Sequence, residues 1–200
     1  MCSVHLCLSV SPNVFLQAAG FKYSSGLATV IIGTVQVIGT AAACVVMDRF
    51  GRRRLLAVAG VGMAFSCFVL GICYKITALL QPVDSGLGWL SLLCLIVYMM
   101  GFSLGWGPVP IVLMSEIFPA RARGASTAIT SITNWFFGFL CTVSFASLQA
   151  MFGMYGVFWL FAVCCFVGVV WVVRYVPETK GMSLEDIELS FVNPTHIVAP

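Results

Sequence analysis

Five apolar runs dominate this chain, at 25–47, 55–74, 88–114, 124–148 and 155–175. Each is close to the ~20 residues that cross a bilayer core as an α-helix. Inside hydrocarbon every backbone N–H and C=O must find its partner within the protein, so such runs fold as helices. The expected fold class is therefore all-α transmembrane, with five full spans plus part of a sixth at the N-terminus. Composition agrees: 60% of residues are hydrophobic and 8% charged, against roughly 25% charged in soluble domains. Residues 1–19 are apolar but interrupted by Ser9, Ser11, Pro12 and Asn13, and read as a partial helix of open register. They lack a basic leading region, so a cleaved signal peptide is not expected. Residues 20–176 hold the bundle and 177–200 a polar tail.

The charges fall in the joints. Asp48-Arg-Phe-Gly-Arg-Arg-Arg54 follows the first run, and Arg121 and Arg123 precede the fourth. If the spans alternate and the 48–54 turn is cytosolic, Arg49, Arg52, Arg53, Arg54, Arg121, Arg123, Arg174 and Lys180 all lie at the inner side. Only Lys22 and Lys75 lie outside. This bias sets the orientation by the positive-inside rule and places the tail in the cytosol. The basic clusters are short and lack interleaved aromatics, so no nucleic-acid partner is expected. The nine cysteines form no CxxC pair, and the two histidines, His5 and His196, lie at opposite ends. They read as small apolar packing residues, not as a zinc site or a disulfide framework.

One run is unlike the others. Gly101-Phe-Ser-Leu-Gly-Trp-Gly-Pro-Val-Pro-Ile-Val-Leu-Met-Ser-Glu116 carries three glycines and two prolines where a span normally has Leu, Ile or Val. Pro108 and Pro110 lack backbone N–H groups, so the carbonyls of Leu104 and Trp106 lose their helical partners. Such a break survives in a membrane where protein or a water-filled cavity surrounds it. Gly/Pro-interrupted spans mark the substrate sites of transporters; a kink that serves only helix packing is the alternative.

No catalytic set is present, and an enzyme is not expected. None of the seven acids falls within a span, whereas a proton-driven carrier usually holds an intramembrane carboxylate or histidine. At mid-depth the chain offers Gln36, Ser103, Trp106, Asn134 and Trp135. Amides both donate to and accept from hydroxyls, and flat aromatic faces pack on the C–H faces of a sugar ring. The set suits a neutral polyhydroxyl ligand. For Gln36 and Asn134 the competing reading is an interhelical hydrogen bond; for the two tryptophans it is packing or lipid contact. Acids beside arginines at several span ends suggest an inner latch, and plain interfacial anchoring is its rival.

At this point the motifs resemble a known family. The 48–54 turn is similar to the charged turn between the eighth and ninth helices of major facilitator sugar porters. Gly-Trp-Gly-Pro-Val-Pro at 105–110 with Ser-Glu-Ile-Phe-Pro at 115–119 resembles their tenth helix. Asn134-Trp135 and Pro-Glu-Thr-Lys-Gly at 177–181 resemble their eleventh helix and C-terminal signature. The likeness spans about 13–192 and lies nearest the facilitative glucose transporters of the member 8 class and insect trehalose transporters. It implies a partial major facilitator fold, the second of two six-helix halves, moving a neutral sugar by alternating access with no cofactor.

Position by position, the resemblance implies sugar contact by Gln36, Phe102, Ser103, Asn134 and Trp135. It implies gating by the Gly105, Gly107, Pro108 and Pro110 bend. It also implies a cytosolic charge network of Asp48, Arg49, Arg52, Arg53, Glu116, Arg123 and Glu178. Two features depart from the family. Ile111 stands where most members carry Trp, and residues 1–12 do not resemble the seventh-helix Gln-Gln-Leu-Ser-Gly-x-Asn motif. The expectation is a facilitative transporter for glucose, another hexose or trehalose, embedded in the lipid bilayer. The chain is expected to be a truncated half whose partner is the missing N-terminal transporter half, and not to transport alone. A non-transporting membrane subunit and a proton–sugar symporter are the alternatives.

Overall fold

The computed structural model describes residues 25–79, 85–118 and 122–176. Within them the chain is all helix. The order is α1 (Ser25–Phe50), α2 (Arg52–Leu79), α3 (Ser85–Gly101), a π-helical turn (Phe102–Trp106), α4 (Pro108–Ile117) and α5 (Arg123–Tyr175). Among the described residues four helical stretches are long and apolar enough to cross a membrane: Thr29–Met47, Arg52–Leu79, Gly86–Met114 and Arg123–Tyr175. The partial helix expected at 1–19 and the tail at 177–200 lie outside the described residues.

Two glycines shape the chain's path. Gly51 turns α1 into α2 with φ 84°, which explains why the charged joint can be so tight. Gly153 interrupts α5 with φ 70° and ψ 171°, a region that is essentially glycine's alone. A straight helix of 53 residues would run ~80 Å at 1.5 Å per residue, against a ~30 Å hydrocarbon core. The break falls between the two runs that the sequence sets at 124–148 and 155–175.

Helix α2 is the centre of the bundle. It packs on α3 along one side and on the second part of α5 along another. Their shared core holds Met63, Cys67, Leu70 and Tyr74 of α2, Leu95 and Tyr98 of α3, and Phe158 and Phe161 of α5. Tyr74 stacks on Phe158 with ring centroids 5.0 Å apart. A second cluster, Met47, Leu55, Leu56, Val109, Leu113 and Val172, closes the other end. Lipid tails are as apolar as leucine, so burial from water cannot hold these helices together; close packing and interhelical polar contacts must. Four cysteines, Cys67, Cys73, Cys94 and Cys165, are buried as free thiols in this packing.

Candidate functional site

The broken span is held by a widened turn. The Gly107 N–H donates to the Phe102 carbonyl at 2.8 Å, a bond across five residues. Helix α4 then starts afresh with Pro108 at its first position, where the N–H that proline lacks would have had no helical partner. A π turn followed by a proline-led helix is how the chain passes two prolines through a membrane-spanning segment. Such turns concentrate at functional sites.

The turn is clamped between α1 and α2. A Cβ at Gly105 would lie 2.7 Å from the Ala59 Cβ, and one at Gly101 would lie 3.0 Å from the Ala59 carbonyl oxygen. The Gly101–Gly105 pair, four residues apart, thus forms a small-residue face on α2. On the other side a Cβ at Gly39 would lie 2.9 Å from the Ser103 Cβ, so α1 crosses the break at that glycine. Gln36, half-buried, sits one turn earlier on the same side of α1. The structure therefore brings the helices of Gln36, Phe102 and Ser103 together at one crossing. The Phe102 ring folds back beside Gly107, 3.3 Å from where a Cβ would stand there.

Ser103 differs from eight other hydroxyl residues of the described helices, and Thr77 shares the exception. Ser66, Ser91, Thr34, Thr40, Thr127, Thr130, Thr133 and Thr142 each donate to the carbonyl four residues back. The Ser103 Oγ is buried without a hydrogen-bond partner among the described residues.

Other expected site residues stand apart. Asn134 is half-buried and Trp135 is 62% exposed on the first part of α5. Helix α5 packs chiefly on α2 and makes no extended contact with α1 or the π turn. Trp106 packs: its Nε1–H donates to the Leu56 carbonyl at 3.1 Å, and the indole lies over Gly60 of α2. Ile111, at the position where the sugar porters mostly carry Trp, is 63% exposed one turn beyond the break.

At the N-terminal end of α2, one turn before these contacts, the Arg53 guanidinium donates to the Val173 carbonyl of α5. That carbonyl belongs to the last turn of α5 and has no helical donor. Arg52 and Arg53 sit at the positive end of their own helix dipole, which disfavours them; the negative end of the antiparallel α5 offsets this. Arg49 is exposed, while Arg52 and Arg123 are half-buried. The side chains of Asp48 and Glu116, and all of Glu178, lie outside the described residues. Within the expected network, Arg53 thus acts as a cationic cap on a helix end. Sequence patterning missed both this cap and the glycine clamp. The four-residue Gly101–Gly105 spacing was the available signal for the clamp.

An apolar bundle with a span broken at a polar crossing fits part of a membrane transport protein of the major facilitator type. The family model described as "Sugar (and other) transporter" matches residues 3–191, and the chain belongs to that family. It is 43% identical over 195 residues to mouse solute carrier family 2, facilitated glucose transporter member 8, covering 90% of this chain and 41% of that protein. It is 44% identical over 170 residues to Drosophila melanogaster trehalose transporter 1, covering 85% of this chain and 20% of that one. Among solved structures it is similar to the E. coli xylose transporter XylE in its inward-open conformation. There the TM-score is 0.68 at 29% identity, over 94% of this chain and 41% of XylE. The proton:xylose symporter XylE bound to 6-bromo-6-deoxy-D-glucose matches with a TM-score of 0.71 at 29% identity over 92% and 42% of the two chains. The chain thus spans well under half the length of these relatives. Members of this family are transporters and not enzymes.

Proposed function

We propose that this chain forms the C-terminal half of a facilitative carrier for a hexose or a related neutral sugar. In this reading α5 makes two spans that meet at Gly153, giving five in the described residues, and the tail is cytosolic. The observation that carries the proposal is the crossing of α1 over the π turn at Gly39 and Ser103. It sets an amide, a hydroxyl and an aromatic ring beside a backbone break. Gln36 and Ser103 would bond sugar hydroxyls and Phe102 would pack on the ring; Asn134 and Trp135, which stand apart on the first part of α5, would join them only once that part closes on the crossing. The Gly105, Gly107, Pro108 and Pro110 bend would move as the gate. Asp48, Arg49, Arg52, Arg53, Glu116, Arg123 and Glu178 would latch the cytosolic ends.

Alternating access rocks one half of a carrier against the other, so the partner of this half is the family's N-terminal half. Proton-coupled symport is a second reading, favoured by the likeness to the proton:xylose symporter XylE. No span of this chain carries an acid, so the coupling group would lie in the other half. The reading as a non-transporting subunit rests on the exposed faces of α1 and of the first part of α5.

The test is equilibrium binding to the purified full chain in detergent, with D-glucose and trehalose against L-glucose. A stereospecific signal that Gln36→Leu weakens roughly tenfold, as loss of one or two amide hydrogen bonds implies, supports the proposal. Equal response to D- and L-glucose refutes it.

A further inference from the structure

A groove of about 580 Å³ runs along the outer surface between α2 and the second part of α5. Its floor is Ala64 and Ala162, both nearly buried, and its rim includes Phe65, Phe68 and Phe166, each at least half exposed. Trp159 lines one end. None of these residues belongs to the α1 crossing or to the charged helix ends. The lining is hydrocarbon apart from the indole nitrogen, so it offers almost no hydrogen-bond partner to sugar hydroxyls.

The Trp159 end carries a cation. Lys75 is exposed on α2, and its Nζ lies 5.3 Å from the centroid of the Trp159 ring. Residues 61, 65, 68, 72 and 75 recur at helical spacing, so Lys75 stands on the face that lines the groove. From Val61 to Lys75 the path is roughly 20 Å at ~1.5 Å per residue. One leaflet contributes about half of the ~30 Å hydrocarbon core. An acyl chain lying in the groove would therefore bring its headgroup to the level of Lys75.

We infer that this groove is a phospholipid site: one acyl chain lies between Phe65, Phe68 and Phe166, and the phosphate pairs with the Lys75 ammonium beside Trp159. Charge complementarity selects this occupant. A helix from a second copy would meet the same apolar walls but would gain nothing from a lysine at the lip. Lys75 reads in the sequence as one of only two outer cations, and the groove gives it a role beyond orientation.

The experiment is native mass spectrometry of the full chain in detergent, titrated with dioleoylphosphatidylglycerol or with dioleoylglycerol, which has the same chains and no phosphate. Phosphatidylglycerol retention should fall about fivefold in Lys75→Gln, the ratio for one lysine–headgroup attraction. Lys75→Arg should restore it. Dioleoylglycerol should bind more weakly to the unmodified chain and be indifferent to both changes. Val163→Trp, at the exposed rim, should narrow the groove and reduce retention of both lipids; Val170→Trp, outside it, should reduce neither. Equal phosphatidylglycerol retention by the unmodified chain and Lys75→Gln overturns the inference. So does a dimer that Val163→Trp dissolves, since that would assign the groove to a second copy.

Discussion

Adding one methyl group at Gly105 should loosen the clamp on the broken span. In the structure a Cβ there would stand 2.7 Å from the Ala59 Cβ and 3.3 Å from the Leu55 carbonyl oxygen. Carbon atoms rest at ~3.5–4.0 Å, so the π turn must retreat from α2 by close to 1 Å. Both obstacles are backbone or a bare methyl, and neither can rotate away. Overpacking of this kind costs ~1–3 kcal/mol. For a chain of this size ~2 kcal/mol lowers the melting temperature by roughly 4–8 °C. Ala59→Gly removes the main clash but by itself costs ~1 kcal/mol in helix propensity. The double variant should then be about as stable as Ala59→Gly alone, short of the sum of the two losses. Contacting residues couple in this way and distant ones do not. The assay is thermal unfolding of the four proteins in one detergent. An unchanged Gly105→Ala, or a double variant that falls by the full sum, would show that the turn does not rest on Ala59.

Further outcomes follow from single contacts. Arg53→Gln weakens the cap on the Val173 carbonyl and should cost ~1.5–3 kcal/mol, seen as a lower melting temperature and faster amide exchange in the last turn of α5. Trp106→Phe loses the bond to the Leu56 carbonyl and should cost about 1 kcal/mol. Because Trp106 packs, its D- against L-glucose discrimination should stay unchanged. Gly153→Ala forces a side chain into a glycine-only conformation, at ~1–3 kcal/mol, and circular dichroism should show helix content kept while the melting temperature falls.

Continuous apolar runs were enough to read an all-helical membrane bundle. Hydrophobicity and proline chemistry act locally, so the break at Gly101–Glu116 was visible too. How the break is repaired was not. A π turn depends on where two neighbouring helices press, and those helices are distant in sequence: Gly39 meets Ser103 across 64 positions and Ala59 faces Gly105 across 46. Trp106 shows the same limit. At mid-depth it could have faced ligand or protein, and only the placement of Gly60 and Leu56 settles its packing role. The partner of Arg53 is a backbone carbonyl, which carries no residue signature, so a search for acid–arginine pairs passes over it.

The most direct measurement is sugar uptake through a chimera in which this chain replaces the corresponding half of mouse facilitated glucose transporter member 8. In proteoliposomes it should take up D-glucose or trehalose saturably and exclude L-glucose. Gln36→Leu should raise KM roughly tenfold, as loss of amide bonds to a hydroxyl implies. A well-folded chimera with no stereospecific uptake, or with a KM that Gln36→Leu leaves unmoved, would contradict the assignment of the α1 crossing as the sugar site.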